Sequence, residues 1–150
     1  MHRSDNVSVF KVTTDDDFQQ ALKVRYEVYV IGQLVPLNED VDEFEDESHH
    51  YLAVADDKAV GAARWRVTNE GHKLERFAVL DNYRGRGIGT ELVKKVMEDV
   101  MNDSPKHIYM HSQIDAVPMY EKFGFIKEGD MFIESDIEHY LMMMPNIKVT

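Results

Sequence analysis

Cysteine is absent from the 150 residues. That excludes disulfides, thiolate metal sites and a cysteine nucleophile, and it fits a reducing compartment. Glycine (8) and proline (4) are sparse and scattered, so no flexible linker divides the chain. One domain over residues 1–150 is expected from that length. No apolar run approaches the ~18 residues that cross a bilayer. The start, Met1-His2-Arg3-Ser4-Asp5-Asn6, lacks the apolar stretch of a secretory signal. A cytoplasmic location follows as the expectation. Positive charge is also scarce: 17 Lys and Arg stand against 28 Asp and Glu, for a net charge of −11. Nucleic-acid binding draws on cations that release phosphate counterions, and anionic membranes repel an acidic surface. Neither is an expected partner, whereas a cationic small molecule is favoured. Without cysteine and without an HExxH pattern, His107 and His111 do not make a metal site, and no metal is expected.

What is present reads as alternating strands and helices. Asn6–Val12 is a β-rich strand. Thr13, Thr14 and Asp15 are helix caps before an amphipathic helix over Asp16–Val30, with Phe18, Leu22, Arg25, Tyr26 and Tyr29 at three- and four-residue spacing. A three-strand meander follows: Tyr51–Ala55, Val60–Thr68 and Leu74–Val79, joined by turns at Asp56-Asp57-Lys58 and Asn69-Glu70-Gly71. Ile88, Leu92, Val96 and Val100 recur every fourth residue and predict a second helix. Ile108–His111 is a strand, Val117–Phe123 a short helix, and Met131–Ser135 and His139–Met144 two closing strands. The expected class is α+β, a mixed and mostly antiparallel sheet with helices on its faces.

Between the meander and the second helix lies Arg84-Gly85-Arg86-Gly87-Ile88-Gly89-Thr90. A helix N-terminus offers unpaired N–H groups and partial positive charge, and glycines admit a ligand close to the backbone. The segment suits a pyrophosphate. It is not a Walker loop, since no Gly-Lys-Ser/Thr ends it. It is not a dinucleotide fingerprint either, since its glycines fall at 85, 87 and 89 after an antiparallel strand. Read alone, it is equally a solvated basic turn.

Two motifs carry a family resemblance. Arg84-x-x-Gly87-x-Gly89, after Leu74-Glu75-Arg76-Phe77-Ala78-Val79, resembles motif A of the GNAT (Gcn5-related N-acetyltransferase) superfamily. Ala116-x-x-x-Tyr120-x-x-x-Gly124-Phe125 resembles its motif B. Arg25-x-x-Val28-Tyr29-Val30-x-x-Gln33 and Ile137-x-His139-x-x-Met142 resemble a small bacterial single-domain branch, which usually has glutamate where this chain has Gly32. The resemblance implies a sheet with splayed strands that binds acetyl-CoA as co-substrate. Main-chain groups of Phe77, Ala78 and Val79 would meet the pantetheine arm, with Gln113 near it. N–H groups of Arg84, Gly85, Arg86, Gly87, Ile88, Gly89 and Thr90 would hold the pyrophosphate. Tyr120 would protonate the departing thiolate.

Transfer to an amine also needs a proton acceptor. Glu75 is the first candidate and His139 the second. An arginine beside Glu75, such as Arg66 or Arg76, would weaken it as a base. The expected activity is acetyl transfer from acetyl-CoA to the primary amine of a small acceptor, against the alternative of a non-catalytic acyl-CoA-binding module. Seven of the ten residues 38–47 are acidic, and they read either as a solvated loop or as a device that draws in a cationic acceptor. The run Leu141–Met144 reads as packing in the core or against a second subunit of a homodimer.

Overall fold

The structure, a computed structural model, describes residues 6–145 and 147. Its elements are β1 (Val7–Lys11), α1 (Asp15–Arg25), a π-helical turn (Tyr26–Ile31), α2 (Leu37–Asp40), β2 (His49–Ala55), β3 (Lys58–Thr68), β4 (Gly71–Val79), α3 (Ile88–Met101), β5 (Ile108–Gln113), α4 (Val117–Glu121), β6 (Ile126–Glu134) and β7 (Ile137–Met143). The strands form one sheet in the order β1-β2-β3-β4-β5-β7-β6. All neighbours pair antiparallel except β4 and β5, which are parallel. The α+β expectation holds. Among the described residues no helix is long and apolar enough to cross a membrane.

Local chemistry explains most element boundaries. Thr14 caps α1, its hydroxyl accepting from the Asp17 N–H at 3.1 Å, and Asp15–Asp17 fill the first turn where the helix dipole favours anions. The expected single helix over 16–30 instead widens into π geometry from Tyr26, a change that rotates its later side chains. The stripe Ile88, Leu92, Val96 and Val100 of α3 is fully buried, as the spacing predicts. It lies close to the sheet because β3 carries Gly61. A Cβ there would sit 3.0 Å from Leu92 and 3.1 Å from Ala53.

The Tyr51 hydroxyl donates to Asp99 of α3, while Phe18 of α1 packs edge-on against His50. Adjacent strand residues point to opposite faces, so α3 and α1 cover opposite faces of the sheet. Met142 is wholly buried in the core, which answers the question about the Leu141–Met144 run for that residue. β6 begins at Ile126, earlier than expected. Its register breaks between Glu128 and Phe132, and Gly129 there has φ +76°. A bulge on a nearly all-exposed edge strand carries no alternating pattern for the sequence to display.

Candidate active site

Strands β4 and β5 pair only through His72–Ile108 and Lys73–Tyr109. Beyond that point β5 continues along β7, and residues 74–79 of β4 run free of it. The gap is the mouth of a cleft of about 590 Å³. A bulge in β4 marks the parting: Ala62 faces Ala78 and Arg64 faces Glu75, so β4 holds one extra residue. Arg76 in the bulge has φ +60°, a conformation unfavourable for a side chain of its type. Its guanidinium is tied to the Glu39 carbonyl at 3.0 Å, the Asp40 carbonyl at 3.2 Å and Asp42 at 3.0 Å. These bonds hold the strained residue in place.

On the β3 side of this stretch, the Leu80 N–H donates to Val60. Alternation then turns the main-chain groups of Phe77 and Val79 toward the gap. Two side chains confirm that direction. The Tyr29 hydroxyl donates to the Phe77 carbonyl, and Arg84 Nε donates to the Val79 carbonyl at 3.1 Å. Burial pushes the Tyr29 phenol up to about 12, so it stays a donor.

At one end of the cleft stands the N-terminus of α3. The N-cap is Gly87 at φ +82°, with no side-chain cap, so the first N–H groups of the helix, at Ile88, Gly89 and Thr90, have no capping side chain. Among the described residues, a Cβ at Gly85 or Gly87 would meet no atom within 4 Å, so they leave the space over this turn open. Arg84, Gly85, Gly87, Ile88, Gly89 and Thr90 all line the cleft. Arg86 does not. Its guanidinium lies over the Tyr83 ring at 4.7 Å and donates to the Asn82 carbonyl at 3.2 Å.

Tyr120, the first residue expected for chemistry, lies on α4 and lines the same cleft. Its ring packs between Phe77 at 5.7 Å and Phe125 at 6.3 Å. Burial raises its hydroxyl well above the ordinary phenol range, so it carries its proton at every working pH. Gln113 also lines the cleft, with its amide paired reciprocally to Gln33 at 2.8 and 3.0 Å.

Glu75 is placed differently from a base. It is buried and ringed by Arg64 at 2.8 Å, Arg66 at 2.6 Å, Lys73 at 3.4 Å and Arg76 at 3.8 Å. Burial alone would raise its carboxyl, but these cations outweigh burial and hold it below the usual range. A carboxylate so held is a weak proton acceptor. His139 also lines the cleft. Its Nδ1 is 2.7 Å from the Ile137 carbonyl, which can only accept. Nδ1 therefore bears the proton, and Nε2 keeps a lone pair.

The acidic segment 38–47 is solvated only in part: Glu39, Glu43, Asp46 and Glu47 are exposed, and the rest of its carboxylates are paired. Asp40 and Glu45 are buried. Arg25, itself 1% exposed, donates to both Glu45 oxygens at 3.0 and 2.7 Å and to Asp40 at 3.3 Å. Arg64, 0% exposed, clamps Asp42 at 2.9 and 2.8 Å. Desolvation opposes ionisation of Asp42 and Glu45, yet hydrogen bonds and charge from Arg64 and Arg25 hold both at about 2. The segment thus packs under the cleft and steadies the bulge through Arg76. Arg25, Tyr29 and Gln33 belong to the pattern Arg25-x-x-Val28-Tyr29-Val30-x-x-Gln33, but spacing alone does not tell which distant groups they meet. Arg64 and Glu134 gave no signal at all.

Residues 15–145 match the family described as the acetyltransferase (GNAT) domain. The chain is 35% identical over 130 residues to the Bacillus subtilis protein named uncharacterized N-acetyltransferase YjcF, covering 86% of this chain and 93% of that one. The crystal structure of Escherichia coli ElaA superposes with a TM-score of 0.82 at 24% identity, over 91% of this chain and 98% of that one. A GNAT family acetyltransferase from Elizabethkingia anophelis, solved with acetyl-CoA bound, superposes with a TM-score of 0.65 at 19% identity, over 93% and 98% of the two chains.

Proposed function

From the premise that this chain belongs to the GNAT acetyltransferase family and is an enzyme of that class, we propose that it moves an acetyl group from acetyl-CoA to the primary amine of a small acceptor. The acceptor attacks directly, with both substrates in the cleft. The observation that carries this reading is one continuous cavity. It joins the uncapped N-terminus of α3, the gap-facing main chain of Phe77 and Val79, and Tyr120. The acetyl-CoA bound to the Elizabethkingia anophelis structure supports the choice of donor.

The residues divide the work by chemistry. N–H groups of Gly87 to Thr90 suit a pyrophosphate, with Arg84 beside them. Phe77 and Val79 suit the amides of a pantetheine arm, in the manner of an added strand. Seating such an arm would displace the contacts that Tyr29 and Arg84 now make to their carbonyls. His139 Nε2 takes a proton from the amine as its nitrogen bonds to the acyl carbon. Tyr120 gives its proton to the sulfur as the carbon–sulfur bond breaks. His139 holds the base role here because four cations occupy Glu75.

Thiol release from acetyl-CoA, followed across a panel of aminosugars, polyamines, amino acids and peptide N-termini, tests the proposal. Amine-dependent release, with an acetylated amine identified by mass, is the expected result. Tight acetyl-CoA binding without release on any amine would favour a binding module instead.

A further inference from the structure

Register brings three side chains to one face at the far end of the sheet. On β5 and β7, His111 lies opposite Leu141 and Gln113 opposite His139. On β6 and β7, Phe132 lies opposite His139 and Glu134 opposite Ile137. Alternate residues share a face. His111, Glu134 and His139 therefore stand together on three strands, and all three line the cleft.

The His139 ring is fixed on two sides. Nδ1 donates to the Ile137 carbonyl, and Phe132 stacks on the ring at 5.8 Å and 23°. Only Nε2 is left to exchange a proton. Facing it at 3.9 Å is Glu134 Oε2. The other Glu134 oxygen is 3.0 Å from His111 Nδ1. Phe132 also meets the His111 ring edge-on at 5.1 Å. One carboxylate is thus shared by two imidazoles around a common aromatic wedge. The charged groups that act on it are His111 from β5, His139 from β7 and Lys73 from β4. Lys73 is itself 3.4 Å from Glu75.

We propose that Glu134 is a positioning residue for the transfer: anchored by His111, it stabilises the imidazolium that His139 becomes on accepting the amine proton. The inference rests on the reading of His139 as base. The step balances. The nitrogen–carbon bond forms, the carbon–sulfur bond breaks, the amine proton moves to Nε2, and the Tyr120 proton moves to sulfur. Water then takes the proton from His139 and restores one to Tyr120. A carboxylate 3.9 Å from Nε2 favours the charged ring over the neutral one. Because the Glu134 side chain is 43% exposed, solvent screens part of that effect.

The test compares Glu134→Gln, His139→Gln and the double variant, using the panel amine that turns over fastest. Imidazole titrations followed by long-range proton–nitrogen NMR need no acceptor and run in parallel. Glu134→Gln is expected to lower kcat about three- to tenfold, with acetyl-CoA affinity unchanged. Its His139 midpoint should lie below the parent's, because the facing carboxylate is gone. The double variant should be no slower than His139→Gln alone, since Glu134 acts through His139. Glu134→Asp should recover part of the rate, which a loss of folding would not allow. A parent-like kcat in Glu134→Gln, an unmoved midpoint, or independent losses in the double variant would overturn the proposal. Should Glu134→Gln alone be silent, only this inference falls. Should His139→Gln also be silent, the assignment of the base falls with it.

Discussion

Tyr120→Phe removes one hydroxyl and leaves the ring. The ring is what packs, between Phe77 at 5.7 Å and Phe125 at 6.3 Å, so the variant should fold as the parent does. What it loses is the proton for the leaving sulfur. General acids contribute about 10²–10⁴-fold, and a thiolate, with an ordinary pKa near 8.5, leaves more readily than an alkoxide. The lower end of that range applies, so kcat should fall about a hundredfold, or roughly 2.7 kcal/mol of barrier. Acetyl-CoA affinity should hold, since no contact to phosphate or pantetheine is removed. The parent enzyme has a related signature. The acid must be protonated to act, and burial raises the Tyr120 hydroxyl, so its acid form persists to higher pH. No alkaline fall in kcat is expected from this group up to about pH 9. Steady-state thiol release, with kcat and KM separated, is the assay. Parent-like kcat in Tyr120→Phe would return this residue to a packing role.

Arg84→Ala should weaken acetyl-CoA binding about tenfold or more by calorimetry, with Tm unchanged, because its side chain is half exposed. Gly87→Val should lose binding and also stability, since φ there is +82°. About 1–2 kcal/mol is expected, or roughly 3–6 °C in Tm. Asp42 and Glu45 are held at about 2, against about 4 in an unfolded chain. The stability they contribute is complete above about pH 4 and is lost as pH falls toward 2. Circular dichroism should show acid unfolding in that window. Glu45→Gln should lower stability at neutral pH by about 3–5 kcal/mol, because it leaves Arg25 and Arg64 short of a partner. Glu75→Gln should lower Tm yet leave the pH dependence of kcat/KM in place, and a profile that flattens would restore Glu75 as the base.

The legible parts of the chain are those whose pattern is local. The α3 stripe, the Thr14 cap and the hairpin turns follow from spacing and capping chemistry within a few residues. The residues expected to meet acetyl-CoA fall in one cleft, Arg86 excepted, because strand, turn and helix N-terminus are consecutive in sequence. The rest depends on distant partners. Segment 38–47 reads as solvated throughout because nothing within it announces Arg25 and Arg64, which pair with Asp40, Asp42 and Glu45. The β4 bulge is silent because Arg76 is not a residue type that signals a positive φ. Glu75 stands beside the acyl site in sequence, but its chemistry is set by cations from β3 as well as from its own strand. The constellation of His111, Glu134 and His139 comes from three strands whose register no single segment encodes.

Amide hydrogen exchange with and without acetyl-CoA tests the central claim most directly. The free strand edge at Phe77 and Val79 and the uncapped N–H groups of Ile88, Gly89 and Thr90 should both slow their exchange when acetyl-CoA is added. The amides of Ala78 and Leu80, on the β3 side of the strand, should change little. Protection confined to other segments, or none at these five amides at saturating acetyl-CoA, would contradict the placement of the donor between β4 and β5.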